Sequence, residues 1–280
     1  MHYFSGHVWR IVGCRGACPT LRLKFSYEAR NSLVKINAHK EEASGSAEQP
    51  TERLALVGMS GSGKTFWTRK LAAAGWRAVC CDDLIEQRLA KRLEAGHYAG
   101  INGVAAWMGW PDNPTYAERE REYLAEEIAA AEEFLNELEN DKSGTPVVWD
   151  TTGSVIYAGK DLLQRLRRQM TVVHLASTEQ EQQLLVERYL NDPKPVLWRG
   201  AFQAQDRESP QETVARCYPK LIASRKKSYE ALAHCSVQVS ELAAMGGRGA
   251  ARNLRDVKRF LEKVREGIAR RRLLSSVTTK

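Results

Sequence analysis

The stretch Arg53-Leu-Ala-Leu-Val-Gly-Met-Ser-Gly-Ser-Gly-Lys-Thr65 constrains this chain more than any other. The apolar run Leu54–Val57 enters a turn with glycines at 58, 61 and 63, and Phe66–Ala74 leaves it with helical composition. The spacing Gly58-x4-Gly63-Lys64-Thr65 is the Walker A pattern of a phosphate-binding loop, and the strand before it and the helix after it are the context that pattern requires. Glycines permit positive φ and close backbone approach, so successive N–H groups can point at an anion. The helix adds its dipole and unpaired N-terminal donors. Gly58, Ser60, Gly61, Ser62, Gly63, Lys64 and Thr65 are therefore the candidate nucleotide-binding residues. Lys64 supplies a point charge to the outer phosphates, and the Thr65 hydroxyl can ligate Mg²⁺. ATP and Mg²⁺ are the cofactors this loop calls for.

The chain has 280 residues, 43% of them hydrophobic, enough for one good-sized domain with appendages. Its net charge of +8 is uneven: residues 1–50 carry +3, residues 51–246 carry −3 and residues 247–280 carry +8. The basicity thus belongs to the ends, which weakens a nucleic-acid reading. Six cysteines at 14, 18, 80, 81, 217 and 235 show no paired zinc spacing, Cys14-x3-Cys18 standing alone. A reduced, cytoplasmic compartment suits this usage. No apolar run is long enough to span a membrane, and oligomeric state is not visible in the sequence.

Residues 1–50 read as an extension ending in the linker-like Glu41–Pro50: an organelle-targeting peptide, a disordered arm or an upstream translation start. Residues 51–246 read as the kinase-type domain, and 247–280 as a basic helix and tail. Strands are expected at 54–57, 77–80, 146–149, 171–175 and 236–239. Helices are expected at 64–75, 83–95, 114–139, 157–168, 178–190, 209–232 and 253–272. This alternation predicts an α/β fold with a central parallel sheet of about five strands and helices on both faces; the family resemblance given below implies the three-layer P-loop kinase type with a mobile lid. Asn113-Pro114 should open the longest helix as N-cap and first helical residue. Its buried stripe is Leu124, Ile128, Ala131, Leu135 and Leu138, with a solvated Glu-rich remainder. The segment 97–111 is too rich in glycine for a long helix, and its Trp107 and Trp110 suggest a hydrophobic plug or a pocket wall. The last helix shows a stripe of Leu254, Val257, Leu261, Val264 and Ile268.

Several residues are placed to do chemistry beside such a loop. Asp82-Asp83 ends the second strand; one carboxylate can orient an acceptor hydroxyl while the other caps the next helix. Asp150 ends Val147-Val-Trp149, as a metal-ordering carboxylate or a helix cap. Arg119 and Glu122 can pair on one helix face. Segment 191–212 is either a lid carrying Lys194 or Arg199 over the phosphates, or a passive loop.

Taken in order, these pieces resemble the shikimate kinase family of small-molecule kinases over roughly 52–240. Cys80-Cys-Asp82-Asp-Leu-Ile-Glu86 is similar to the family's Asp-x-Asp-x-x-Ile-Glu, and Trp107 sits where the family often has an aromatic. Arg119-x-x-Glu122 resembles Phe-Arg-x-x-Glu, Thr151-Thr-Gly-Ser-Val155 the Gly-Gly-Gly-Ser-Val turn, Lys194-Pro-Val-Leu197 the lid's Arg-Pro-Leu-Leu, and Arg225-Lys-Lys-Ser-Tyr229 Arg-x-Pro-x-Tyr. The resemblance implies that Asp82, Arg119, Gly153 and Arg225 bind a small-molecule substrate, the two arginines through its carboxylate. It also implies catalytic roles for Lys64, Asp82 and Lys194. The chain departs from the family at Cys80, which replaces a metal-ordering Asp and leaves the metal to Thr65 and Asp150. It departs again at Thr151-Thr152, whose side chains would intrude on the substrate ring, and at Lys194, a point charge in place of a fork. The expected function is ATP-dependent phosphorylation of a hydroxyl on a small, carboxylated molecule. A non-catalytic nucleotide-binding module and a nucleic-acid 5′-hydroxyl kinase are the alternatives.

Overall fold

A computed structural model of the chain describes residues 52–243 and 250–278. The extension 1–50 and its two cysteines lie outside the described residues. Five strands, β1 (Arg53–Val57), β2 (Arg77–Cys80), β3 (Val147–Asp150), β4 (Thr171–Ala176) and β5 (Cys235–Gln238), form one sheet in the order β2-β3-β1-β4-β5. Every pairing is parallel. Parallel strands need crossovers, and the helices supply them. They are α1 (Lys64–Ala72), α2 (Cys81–Arg88), α3 (Ala90–Ala95), α4 (Gly100–Met108), α5 (Tyr116–Asn140), α6 (Lys160–Gln169), α7 (Glu179–Asn191), α8 (Pro210–Leu232), α9 (Val239–Ala243) and α10 (Ala250–Thr278).

Because β-strand side chains alternate, each strand feeds two cores. Ala55, Val57, Val147, Trp149 and Val172 face one side with Ile85, Phe134, Leu135, Leu166 and Leu221. Leu54, Leu56, Val148, Val173 and Leu175 face the other with Trp67, Leu71, Val257, Phe260 and Val264. The predicted three-layer arrangement with helices on both faces is therefore present. α10 is bound to α1 by Trp67 stacked on Phe260 at 4.6 Å and by a buried Lys70–Asp256 ion pair at 2.6 Å.

Local signals explain several element starts, and the structure corrects others. α7 and α8 each open with a complete capping box, Thr178 with Glu181 and Ser209 with Glu212. α5 begins at Tyr116, two residues later than expected, because the Asn113 side chain accepts from the Thr115 N–H and hydroxyl in a turn before the helix. The expected helix 83–95 is two helices, α2 and α3. The glycine-rich 97–111 segment contains α4, bracketed by Gly100 and Gly109 at φ 68° and 73°. A Cβ at Gly103 would stand 3.0 Å from the Tyr98 carbonyl carbon, so glycine inside this helix serves close packing. The α10 stripe is also rotated from expectation: Phe260 is fully buried whereas Leu254 is 57% exposed. Among the described residues no helix is long and apolar enough to cross a membrane.

Candidate functional site

The phosphate loop follows β1, the central strand, at the carboxyl edge of the sheet. A Cβ on Gly58 would come within 2.9 Å of the Leu175 carbonyl oxygen, and Gly63 N-caps α1 at φ 95°. Both positions require glycine. Lys64 is buried and its Nζ donates to the Gly58 and Met59 carbonyls at 2.9 and 3.0 Å. Burial lowers its pKa, while Asp150 and Asp82 oppose the shift. Ser60, Gly61, Gly63, Lys64 and Thr65 line the cavity described below; Gly58 and Ser62 do not. The Ser62 backbone N–H donates to the Met59 carbonyl at 3.2 Å.

β3 carries Asp150 to this edge, in register with Leu56 of β1 and Cys80 of β2. Burial raises the Asp150 pKa, with Lys64 and a hydrogen bond from Thr65 opposing. Its Oδ2 is buried without a hydrogen-bond partner among the described residues. A carboxylate oxygen left open beside a threonine hydroxyl fits a Mg²⁺ ion that takes its other oxygens from water and phosphate. Asp82 and Asp83 stand in the first turn of α2 and not at the strand end; that helix has no side-chain cap, so neither carboxylate has the expected capping role. Desolvation raises the half-buried Asp82 to about 6, against the pull of Lys64. Desolvation also pushes the Cys80 thiol up to about 12, so at neutral pH it offers no thiolate in the place of the missing carboxylate.

A cavity of about 410 Å³ joins these groups, with Lys64, Thr65 and Asp150 in the same enclosure as Asp82, Tyr123, Gly153, Lys194 and Arg225. The Thr151–Ser154 turn does not crowd it in the expected way. The Thr151 hydroxyl donates to the Leu56 carbonyl at 2.7 Å, and that of Thr152 donates to Glu127. Ser154 donates to the other Glu127 oxygen at 2.6 Å. The buried stripe of α5 is turned from the expected one: Leu124 and Ile128 are only partly buried, whereas Tyr123 and Glu127, a residue expected in solvent, are fully buried. Desolvation raises it to about 7, with the two hydroxyl bonds opposing. Sequence reasoning missed Glu127 and Tyr123. Their one signal is spacing: Tyr123, Glu127 and Ala131 recur at four-residue intervals along the buried stripe.

The two predicted carboxylate ligands part company. Arg225 is 2% exposed and lines the cavity. It donates to the Tyr157 hydroxyl at 3.3 Å, the Gly153 carbonyl at 3.0 Å and the Leu197 carbonyl at 2.5 Å. Tyr229 donates to the same Gly153 carbonyl. Arg119 is not among the cavity residues: it donates to the Trp107 carbonyl and lies 5.7 Å from that ring. Its expected pairing with Glu122 is replaced by an Arg92–Glu122 bridge at 2.6 Å. In the 191–212 segment, Lys194 stands at the cavity, bonded to Asn102 at 2.5 Å and Asp192 at 2.8 Å. Arg199 packs instead over Tyr157. Val196, Leu197 and Trp198 are buried, and the Tyr116 hydroxyl bridges the Val196 carbonyl and the Trp198 N–H.

No protein-family model matches the sequence, and no curated protein matches it. Among solved structures, the chain is similar to shikimate kinase from Acinetobacter baumannii in complex with shikimate, at 24% identity and a TM-score of 0.46, over 76% of this chain and 92% of that one. Shikimate kinase from Bacteroides thetaiotaomicron follows at 18% identity and 0.44, covering 75% and 97%. A gluconokinase from Sinorhizobium meliloti stands at 16% and 0.35, covering 76% and 94%. Likeness this distant assigns neither family nor substrate, and the functional reading rests on the residues of the cavity.

Proposed function

We propose that the protein is an ATP-dependent phosphotransferase that phosphorylates a hydroxyl of a small, carboxylated molecule. The observation that carries this reading is the single cavity in which the phosphate loop and Asp82, Gly153 and Arg225 face the same space. Transfer of a phosphoryl group needs little beyond alignment, charge neutralisation and exclusion of water. Loop amides and the N-terminus of α1 bind the donor's phosphates. Lys64 exchanges its two carbonyl partners for the outer phosphates. Thr65 and Asp150 would hold Mg²⁺, which when bound would offset the charge of the donor's phosphates. Asp82, raised towards 6, is ionised at neutral pH and orients the acceptor hydroxyl, taking up its proton as transfer proceeds. Arg225, held rigid by its bonds, presents its remaining donor to the acceptor's carboxylate, and Lys194 can leave Asp192 for the transferring group. The four described cysteines are all unpaired, which suits a reduced compartment such as the cytoplasm.

Arg119 turned away and Cys80 in place of a carboxylate favour a second reading, a nucleotide-binding module without acceptor chemistry. Acceptor-dependent ADP release separates the two. With MgATP and a panel of hydroxy acids and polyols, the kinase reading expects release above the background without acceptor, abolished in Lys64→Ala. Tight ATP binding with no acceptor dependence would favour the module.

A further inference from the structure

The cavity contains a donor that no motif pointed to. Tyr218 of α8 is fully buried and lines the same space as Lys64 and Asp82, yet its hydroxyl has no hydrogen-bond partner among the described residues. Leaving a buried hydroxyl unpaired is destabilising, whereas a phenylalanine would keep the ring's packing without that cost. The packing itself is tight: Tyr218 stacks on Tyr189 at 4.4 Å with planes 9° apart and meets Trp198 at 5.8 Å and 63°. The ring therefore cannot turn its hydroxyl elsewhere without losing both contacts. Burial raises the phenol's pKa, so it stays a neutral donor, although the Arg225 charge acts against that shift. Arg225 lies seven residues on, two turns along the same face of α8. Three of its five N–H groups are committed to Tyr157, Gly153 and Leu197 and a further bond joins it to Tyr229, which leaves one for a ligand.

We propose that the Tyr218 hydroxyl, beside Arg225, donates to the carboxylate of the acceptor, so that a phenol does the work of a second arginine. Resting on the kinase reading, this makes the acceptor a hydroxy acid and Tyr218 a residue that determines specificity. Arg119, the second cation that the sequence had suggested, is occupied with Trp107. A hydroxyl with no partner among the described residues and a cation with a spare donor together suit one anionic oxygen pair.

The test is Tyr218→Phe in the full chain, read two ways. Without ligands, its melting temperature should equal or exceed that of the unchanged protein, since no bond is lost; a lower melting temperature, or failure to fold, would show that the hydroxyl already has a structural partner and would overturn the proposal. For kinetics, ADP release is measured with shikimate, D-gluconate and D-glycerate, with D-glucitol as the uncharged counterpart. At least one acid should be turned over in preference to D-glucitol, and Tyr218→Phe should raise its KM roughly ten- to a hundredfold while the KM for ATP stays within about twofold. An unchanged acceptor KM, or D-glucitol used as well as D-gluconate, would overturn the proposal while leaving the kinase reading in place. ADP release with none of the four would remove the kinase reading, and this proposal with it.

Discussion

Replacing Glu127 by Gln should change how the stability of this protein depends on pH, in a direction fixed by the structure. In the folded protein Glu127 is buried, bonded to two hydroxyls and pushed to about 7 from an ordinary value of 4.5. The unfolded chain has no such environment, so between these two values the folded state binds a proton that the unfolded state does not. Stability contributed by the protonated form is complete below about pH 4.5 and is lost as pH rises through about 7. At about 1.4 kcal/mol per pKa unit, the loss across that window is on the order of 3 kcal/mol. Glutamine does not titrate. Its constant offset is set by how well its amide replaces two accepted hydroxyl bonds, but its pH slope lacks this contribution.

Other groups near the site also titrate, and comparing the two proteins at each pH largely cancels them. Asp82, at about 6, is the neighbour whose charge Glu127 feels most, and it contributes to both curves. Tyr123 and Cys81 are raised well above their usual values and stay neutral throughout. Thermal unfolding at half-unit steps from pH 5 to 8 is the assay. From pH 5 to 8 the Gln variant should gain on the unchanged protein by about 5–10 °C, from about 2.5 kcal/mol of that loss at roughly 2–4 °C per kcal/mol in a domain of this size. Curves that run parallel would mean that Glu127 is ionised and solvated in the folded protein, and the account of the 152–154 turn would be wrong.

Lys64→Ala should abolish acceptor-dependent ADP release while leaving the melting temperature within a few degrees, because its partners are loop carbonyls at an open edge; normal turnover would strip the phosphate loop of its assigned role. The acid limb of kcat/KM should fall near pH 6, the value of Asp82 in the free protein, and Asp82→Asn should flatten it; a limb unchanged in that variant would assign the titration elsewhere. Phe260→Ala, which removes a fully buried ring stacked on Trp67, should cost about 3–5 kcal/mol by urea unfolding, whereas a surface helix would lose almost nothing.

The parts of this molecule that could be read in its sequence are those encoded by period and by local chemistry. Five apolar runs became five parallel strands, and the glycines of the phosphate loop became the positive-φ turn that the motif demands. Residues identified one at a time fared differently, because their roles depend on neighbours far along the chain. Arg119 and Arg225 look alike in sequence, but one meets the Trp107 carbonyl twelve residues away and the other a turn 72 residues away. Thr151 and Thr152 read as obstructions only if their side chains point at the ligand; their hydroxyls bond Leu56 and Glu127 instead, 95 and 25 residues distant.

Glu127 carries a signal in its neighbours along the helix. Counting a helix face by its apolar residues alone assigns every glutamate to solvent, yet Tyr123 and Ala131 lie one turn to either side of it and are both buried. A carboxylate set between buried neighbours must lose most of its hydration, and it persists only if polar partners meet it or it takes up a proton. The partners here come from the turn that follows Asp150, next to the cavity. Burial of an acid on a packing helix was therefore a pointer to polar structure on the facing element. That element is the turn whose Gly153 carbonyl Arg225 and Tyr229 also hold, so α5 grips its side chains and α8 its backbone.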